Sequence, residues 1–265
     1  MASGSVLRYI DFAPDVGNAG FHNSIYRGKY LGSSVTAAQY AAIGAGTFDD
    51  LFIGDYWSIG GVNWRIAAFD YWFGYGDGGG VGVCNTHHIV IVPNENLNAA
   101  DGSTTHWMNA TNTTEGAYFG SDWRTGNNGN TGRADCINKI NSAFGSGHIL
   151  TYREYLANAV SNGYQSVGSW YDASVEMMTE QMVYGGKVFS NILHGTNIPN
   201  AYTIGTSQLP LFRLNHLHIC TRTGWWLRDV VSAAHFAGVD GVGICSYAGA
   251  SSLWVGVRPA FGLVA

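Results

Sequence analysis

Charge is scarce in this chain: only 12 % of its 265 residues are Asp, Glu, Lys or Arg, and the net charge is −5. No Lys/Arg cluster interrupts that thin distribution, which excludes an electrostatic footprint for nucleic acid. Cysteine is sparse too. The four residues Cys84, Cys136, Cys220 and Cys245 are widely spaced and form no C-x-x-C pair. They read as unpaired thiols, with a Cys220–Cys245 bridge geometrically possible but not implied by spacing. No apolar run reaches the roughly 18 residues of a membrane-spanning helix. The opening "MASGSVLRYIDFAPD" has no basic region followed by an apolar core, so no secretory signal is expected. G-x-S-x-G, H-E-x-x-H and the P-loop are all missing.

Glycine and aromatic residues are abundant instead: 37 glycines, with 14 % Phe, Trp and Tyr. With 46 % hydrophobic residues, this is a core-forming chain with long, turn-dominated connections. Residues 1–35 have no amphipathic period and read as an N-terminal arm or entry segment. At "VTAAQYAAIGAG", Thr36 can cap a short helix and Gly44 can end it. Tyr56, Trp57 and Ile59 precede Gly60-Gly61. Val62, Trp64, Ile66 and Ala68 then alternate with Asn63, Arg65 and Ala67, the pattern of a β-hairpin. "GYGDGGGVG" (74–82) matches G-x-G-x-x-G, but the strand-like "CNTHHIVIVP" follows where a dinucleotide site needs a helix. Residues 98–130, rich in Asn, Thr and Gly, read as a surface excursion. Asn109 and Asn112 fit the glycosylation pattern.

Three helices are expected in the middle. "ADCINKINSAF" (134–144) puts Ile137, Ile140 and Phe144 on one face. "TYREYLANAVSNG" (151–163) opens with the capping-box pair Thr151 and Glu154. "DASVEMMTEQMVYGG" (172–186) has Asp172 to start it, Gly185 to stop it and a buried stripe of Val175, Met178 and Met182. The remainder, including "LPLFRL", "GWWLRD" and "VGVRPAFGLV", reads as short strands. Strands from both ends with helices between them indicate an α+β fold of one domain.

Catalytic and metal constellations are thin. His87 and His88 face opposite ways if they lie on a strand, so only one could serve a given site. His216 and His218 would share a strand face, without an identifiable third ligand. Asp49, Asp50, Asp55 and Asp70 could supply a carboxylate pair for glycoside hydrolysis, but acidic residues at hairpin starts usually serve turns. Neither a metal nor any other cofactor is expected.

The segments "IGDYWSIGGVNWRIAAFDYW" (53–72), "THHIVIVP" (86–93), "TEQMVYG" (179–185), "SQLPLFRL" (207–214) and "WWLRDVVSAAHFAGVD…GVRPAF" (225–261) together resemble the variable proteins of diversity-generating retroelements. The closest likeness is to versions carried by bacteriophages and prophages of gut bacteria. The resemblance covers roughly residues 36–265, and the WWLRDV…GVRPAF frame is its most specific part. It implies a C-type-lectin-like fold of small antiparallel sheets, two to three helices and long irregular loops. It implies a variable region at about 230–254, rewritten at asparagine codons by an error-prone reverse transcriptase. Such codons, altered at their adenines, cannot encode Trp, Met, Gln, Lys or Glu. These types make up 26 of the 265 residues, yet none occurs from Val230 to Leu253, where composition predicts about two or three.

A fold that accepts exchanged side chains must bury its own anchors. Trp225, Trp226 and Leu227 on one flank, and Val257, Pro259 and Phe261 on the other, are the candidates. Arg228 and Arg258 are expected to hold carbonyls or carboxylates. Ala233, Ala234, Phe236, Val239 and Asp240 read as fixed scaffold. The expected ligand-facing residues are His235, Gly238, Gly241, Val242, Ile244, Ser246, Tyr247, Gly249, Ser251 and Trp254. Among them Tyr247, His235 and Trp254 would carry most binding energy. The implied protein is a non-catalytic, phage-tail receptor binder, expected to be a homotrimer in the manner of tail proteins, assembled in the cytoplasm and facing a bacterial surface protein or glycan. An enzyme on a related fold, such as a sulfatase-modifying-type oxidase using Cys220 and Cys245 or a hydrolase, is the alternative, as is an ordinary phage structural domain. A calcium-dependent lectin would need carboxylates in the loop, where only Asp240 stands.

Overall fold

A computed structural model of the chain describes residues 19–76, 82–97, 107–109, 118, 120–125, 132–156, 160–161, 164–165, 168–190 and 207–265. Most of the 98–130 excursion, Asn112 and residues 1–18 of the arm lie outside them.

The described chain is mixed α+β. It opens with α1 (Ala19–His22) and β1 (Tyr30–Gly32), followed by α2 (Ala37–Ala45), β2 (Tyr56–Ile59), β3 (Val62–Phe69) and β4 (Ile89–Pro93). Next come α3 (Asp122–Thr125), α4 (Gly132–Phe144), β5 (Tyr152–Leu156), β6 (Val160–Ser161), β7 (Tyr164–Gln165), β8 (Ser169–Ala173) and β9 (Val175–Met177). The remainder is α5 (Glu180–Tyr184), α6 (Pro210–Leu214), β10 (Trp225–Ser232), β11 (His235–Val239), β12 (Cys245–Gly249) and β13 (Pro259–Leu263).

The main sheet runs β1-β2-β3-β4-β13-β9, so the C-terminal strand sits beside strands from the first third of the chain. A second sheet is β10-β11-β12, and β5-β8 and β6-β7 form two-stranded ladders. The β2–β3 hairpin forms as expected, and Gly60 and Gly61 have φ of 61° and 78°. Two positive φ values in a two-residue turn are the primed geometry that matches strand twist, and glycine adopts it without strain. In α2, Thr36 accepts from Gln39 N–H and Gln39 reaches back to Thr36 N–H. The helix passes Gly44 and ends at Gly46, whose φ is 69°. Residues 19–32 are tied to the body. Arg27 donates to Asp55, Asn23 exchanges hydrogen bonds with the Phe69 backbone, and Tyr30 pairs with Tyr56.

Three expected elements differ. Residues 152–156 are a strand, because Glu154 does not cap Thr151: it is buried and pairs with Arg228 at 2.8 Å. Tyr152 stacks on Trp72 with ring centroids 4.0 Å apart, a tertiary contact that outweighs helix propensity. The segment 172–186 divides into the end of β8, then β9 and a short α5 capped by Thr179, with Gly185 as its stop. Val175, Met178 and Met182 are all buried, but from a strand, a connector and a helix. "LPLFRL" is helical, with Pro210 at the first position where a missing N–H costs nothing.

Most large apolar side chains of the described residues join one core, including Trp57, Trp64, Trp72, Trp123, Trp225 and Trp226.

Candidate ligand-display surface

The segments on either side of residues 230–254 bind each other directly. Gly256 N–H donates to Gly224 O at 2.8 Å, and Trp226 N–H donates to Gly256 O at 3.0 Å. Trp225, Trp226, Leu227, Val257, Pro259 and Phe261 are buried, so the expected anchors are anchors. Arg258 is fully buried. Its Nε donates to Pro93 O at 2.9 Å and its Nη1 to His218 O at 2.7 Å. The guanidinium lies over Trp225 and Phe212, 5.0 and 5.4 Å from their centroids. Arg228 holds Glu154, as described, and its backbone N–H donates to Met178 O at 3.0 Å.

Between the flanks, β11 and β12 pair in register, His235 opposite Gly249 and Val239 opposite Cys245. Directly opposed residues share a face. His235, Ala237, Val239, Cys245, Tyr247 and Gly249 therefore occupy one side. Phe236, Gly238, Ser246 and Ala248 occupy the other, where Phe236 packs on Tyr118 and Trp226. Asp240 organises the connecting turn. Its Oδ1 accepts from Val242 N–H at 2.9 Å and Ile244 N–H at 2.8 Å, and its N–H donates to Ile244 O. Tyr184 Oη donates to Gly243 O, fixing the turn to α5. Asp240, Phe236 and Val239 are scaffold as expected.

Five large side chains of this region stand in solvent: Val242 at 70 % exposure, Ile244 at 63 %, Leu253 at 61 %, Trp254 at 57 % and Tyr247 at 49 %. His235 is half-buried; its Nδ1 is 2.8 Å from Ser232 Oγ, and its ring meets Tyr247 edge-on at 5.6 Å. Gly249 and Ser251 are half-buried, and Ser246 is half-buried on the opposite face from Tyr247. Two expected display positions are corrected. Gly238 is buried, and a Cβ there would meet Trp225 O at 3.2 Å. A Cβ at Gly241 would meet Arg222 O at 2.8 Å, so neither glycine is free to carry a varied side chain.

Sequence reasoning missed Leu253 and the pair Val188–Phe189. Phe189 packs against Tyr247 at 5.1 Å and is itself exposed. Its position is set by Glu180, a buried carboxylate that accepts from Val188, Phe189 and Ser190 N–H, from Ser190 Oγ and from the Cys245 thiol. Burial alone would push Glu180 up, but the donors from Ser190, Phe189 and Val188 outweigh it and hold the carboxyl below its ordinary range. Asp229 lies beneath, accepting from Glu180 N–H at 2.6 Å, and burial raises its carboxyl. The signal available in the sequence was an apolar Val-Phe pair just beyond the Gly185-Gly186 stop.

The remaining candidates have structural occupations. His88 is buried: its Nδ1 bonds Thr86 O, and its Nε2 accepts from Trp72 N–H. Both nitrogens are therefore used, and burial lowers its pKa. His87 Nδ1 meets Asp70 at 2.7 Å. His216 and His218 lie in a 3₁₀ turn (His216–Ile219) rather than on a strand, and His218 Nε2 bonds Tyr26 Oη. Asp55 is buried among Arg27 and the N–H groups of Lys29 and Phe52. Asp50 bonds Lys29 and Arg27, which hold its carboxyl below the ordinary value, and Asp49 accepts from Thr47 Oγ1. All four cysteines are free thiols. Among the described residues no cluster of His, Cys, Asp and Glu has the make-up of a metal site, and no helix is long and apolar enough to cross a membrane.

No protein-family model, curated protein or solved structure matches the chain.

Proposed function

We propose that this chain is a non-catalytic ligand-binding protein of the retroelement-diversified class, with a C-type-lectin-like display domain. The observation that carries the reading is the contrast along residues 225–261. Buried flanks hydrogen-bond to each other and are clasped by Arg258, while Val242, Ile244, Tyr247, Leu253 and Trp254 between them reach solvent. Such a division uncouples surface side chains from folding free energy, which a diversified binding surface requires.

The ligand is a bacterial cell-surface protein or glycan, and the setting is a phage tail, where several copies offset a weak single contact by acting together. Tyr247, His235 and Trp254, with Phe189 beside Tyr247, supply the aromatic anchors. The oxidase alternative requires a reactive cysteine pair. Burial, with the adjacent Glu180 carboxylate, pushes the Cys245 thiol up and away from the thiolate such chemistry uses.

Sequencing the DNA downstream of the gene tests the proposal. A near-copy of the 3′ end, differing at adenines and lying beside a reverse transcriptase gene, is expected. Absence of any such repeat would reduce the chain to an ordinary phage structural domain.

A further inference from the structure

Two cavities flank the turn of the β2–β3 hairpin, and none of residues 235–254 lines either. One, of about 260 Å³, is lined by Gly60, Gly61, Val62, Asn63 and the segment Asn94–Leu97, with Lys139 closing it. The other, of about 400 Å³, has Ile59, Val62, Trp64 and Ala143 in its wall, and its polar groups include Asp135 and Asn138. They share Gly60, Val62 and Lys139, so they form two chambers meeting at one lysine.

The first chamber is polar and poorly paired. Lys139 is half-buried and Glu95 exposed, both facing the same small space, and neither forms an ion pair within the described residues. Asn63 is half-buried, and among the described residues its side chain has no hydrogen bond. Asn94 is oriented by Arg65, whose Nε donates to its Oδ1 at 2.8 Å, and its amide hydrogens have no acceptor among the described residues. Asn96 donates to Gly224 O, while its own Oδ1 is buried without a partner. Leaving such an acceptor unmade costs about 1–3 kcal/mol in a protein interior.

We propose that these chambers bind an α-amino acid with an apolar side chain. Its carboxylate meets Lys139 and the Asn94 amide hydrogens, its ammonium donates to Glu95 and Asn96 Oδ1, and its side chain enters the chamber walled by Ile59, Val62, Trp64 and Ala143. Opposite charges lining one cavity match a zwitterion. The polar chamber is smaller than the roughly 300–1,000 Å³ of drug-sized sites, which suits a single amino-acid head group.

Ligand-observed NMR and calorimetry on the full chain, with L-leucine and L-phenylalanine as probes, test this. Both are expected to bind, at least tenfold more tightly than N-acetyl-leucine or leucine methyl ester, each of which lacks one charge. Lys139→Ala and Glu95→Gln should each weaken leucine at least tenfold with the melting temperature unchanged. Tyr247→Ala should leave leucine binding intact, which separates this site from the display surface. No binding of either amino acid at millimolar concentration, equal binding of the blocked analogues, or binding indifferent to both variants would overturn the proposal.

Discussion

Replacing Arg258 with Met removes the clasp while keeping a side chain of similar length. Two carbonyl oxygens, on Pro93 and His218, lose their donors. Backbone carbonyls cannot be removed with their partner, so each is left unsatisfied at about 1–3 kcal/mol. The rings of Trp225 and Phe212 also lose the cation above them, a contact worth on the order of 1–2 kcal/mol when desolvated. Acting the other way, the mutation relieves the burial of a charge. That burial, with Arg65 nearby, brings the guanidinium down to about 9, so part of the gain is cancelled. A net loss of about 2–4 kcal/mol follows from those opposing terms. At roughly 2–4 °C per kcal/mol for a chain this long, the melting temperature should fall by about 5–15 °C. Calorimetry measures it, and amide exchange at Gly224–Trp226 should accelerate in parallel. Arg258→Lys should not rescue, because one ammonium cannot serve two carbonyls on separate segments while covering two rings. An Arg258→Met protein as stable as the parent would refute the clasp.

Gly46→Ala should destabilise by about 1–3 kcal/mol in chemical denaturation, since Gly46 has φ 69° and a Cβ there would meet the His87 ring at 2.7 Å. His218 is held neutral, its pKa lowered from 6.5 to about 4 by burial and by the positive charges of Arg65 and Arg258. The unfolded chain therefore binds the extra proton in that interval, so the stability it confers is lost as pH falls from 6.5 towards 4. The melting temperature of His218→Gln should decline less steeply than the parent's across that window; identical slopes would contradict the assignment. Thiol titration of the native protein should find one fast-reacting cysteine, Cys220, because it is exposed while Cys84 and Cys136 are buried and Cys245 is held against Glu180. The Cys220→Ser variant should lose that fast phase.

What was readable from residues alone depended on short range. Gly60-Gly61 between alternating runs specified a hairpin because the turn geometry is local, and Thr36 specified a helix start for the same reason. The T-x-x-E of residues 151–154 misled because Glu154 is used by Arg228, a partner far along the chain. The stripe of Val175, Met178 and Met182 reported burial correctly while concealing that three different elements supply it. The buried anchors at 225–227 and 257–261 follow from apolar content, and the roles of Arg228 and Arg258 from guanidinium chemistry. Gly238 and Gly241 read as displayable because a glycine gives no sign of what lies above it; the Trp225 and Arg222 carbonyls that crowd them come from other segments of the chain. Phe189 escaped notice because it reaches Tyr247 through a loop that Glu180 folds back.

The frame and its buried scaffold carry the stability, and the exposed side chains of Val242, Ile244, Tyr247, Leu253 and Trp254 carry almost none. A library randomising Val242, Ile244, Tyr247, Leu253 and Trp254 together, sorted for protease resistance, measures this directly. Most members should keep parental resistance, with shifts within about 0.5 kcal/mol as for ordinary surface positions, while a matched library at Trp225, Trp226, Phe236, Val257 and Phe261 should be almost wholly cleaved. Comparable losses in the two libraries would contradict the account.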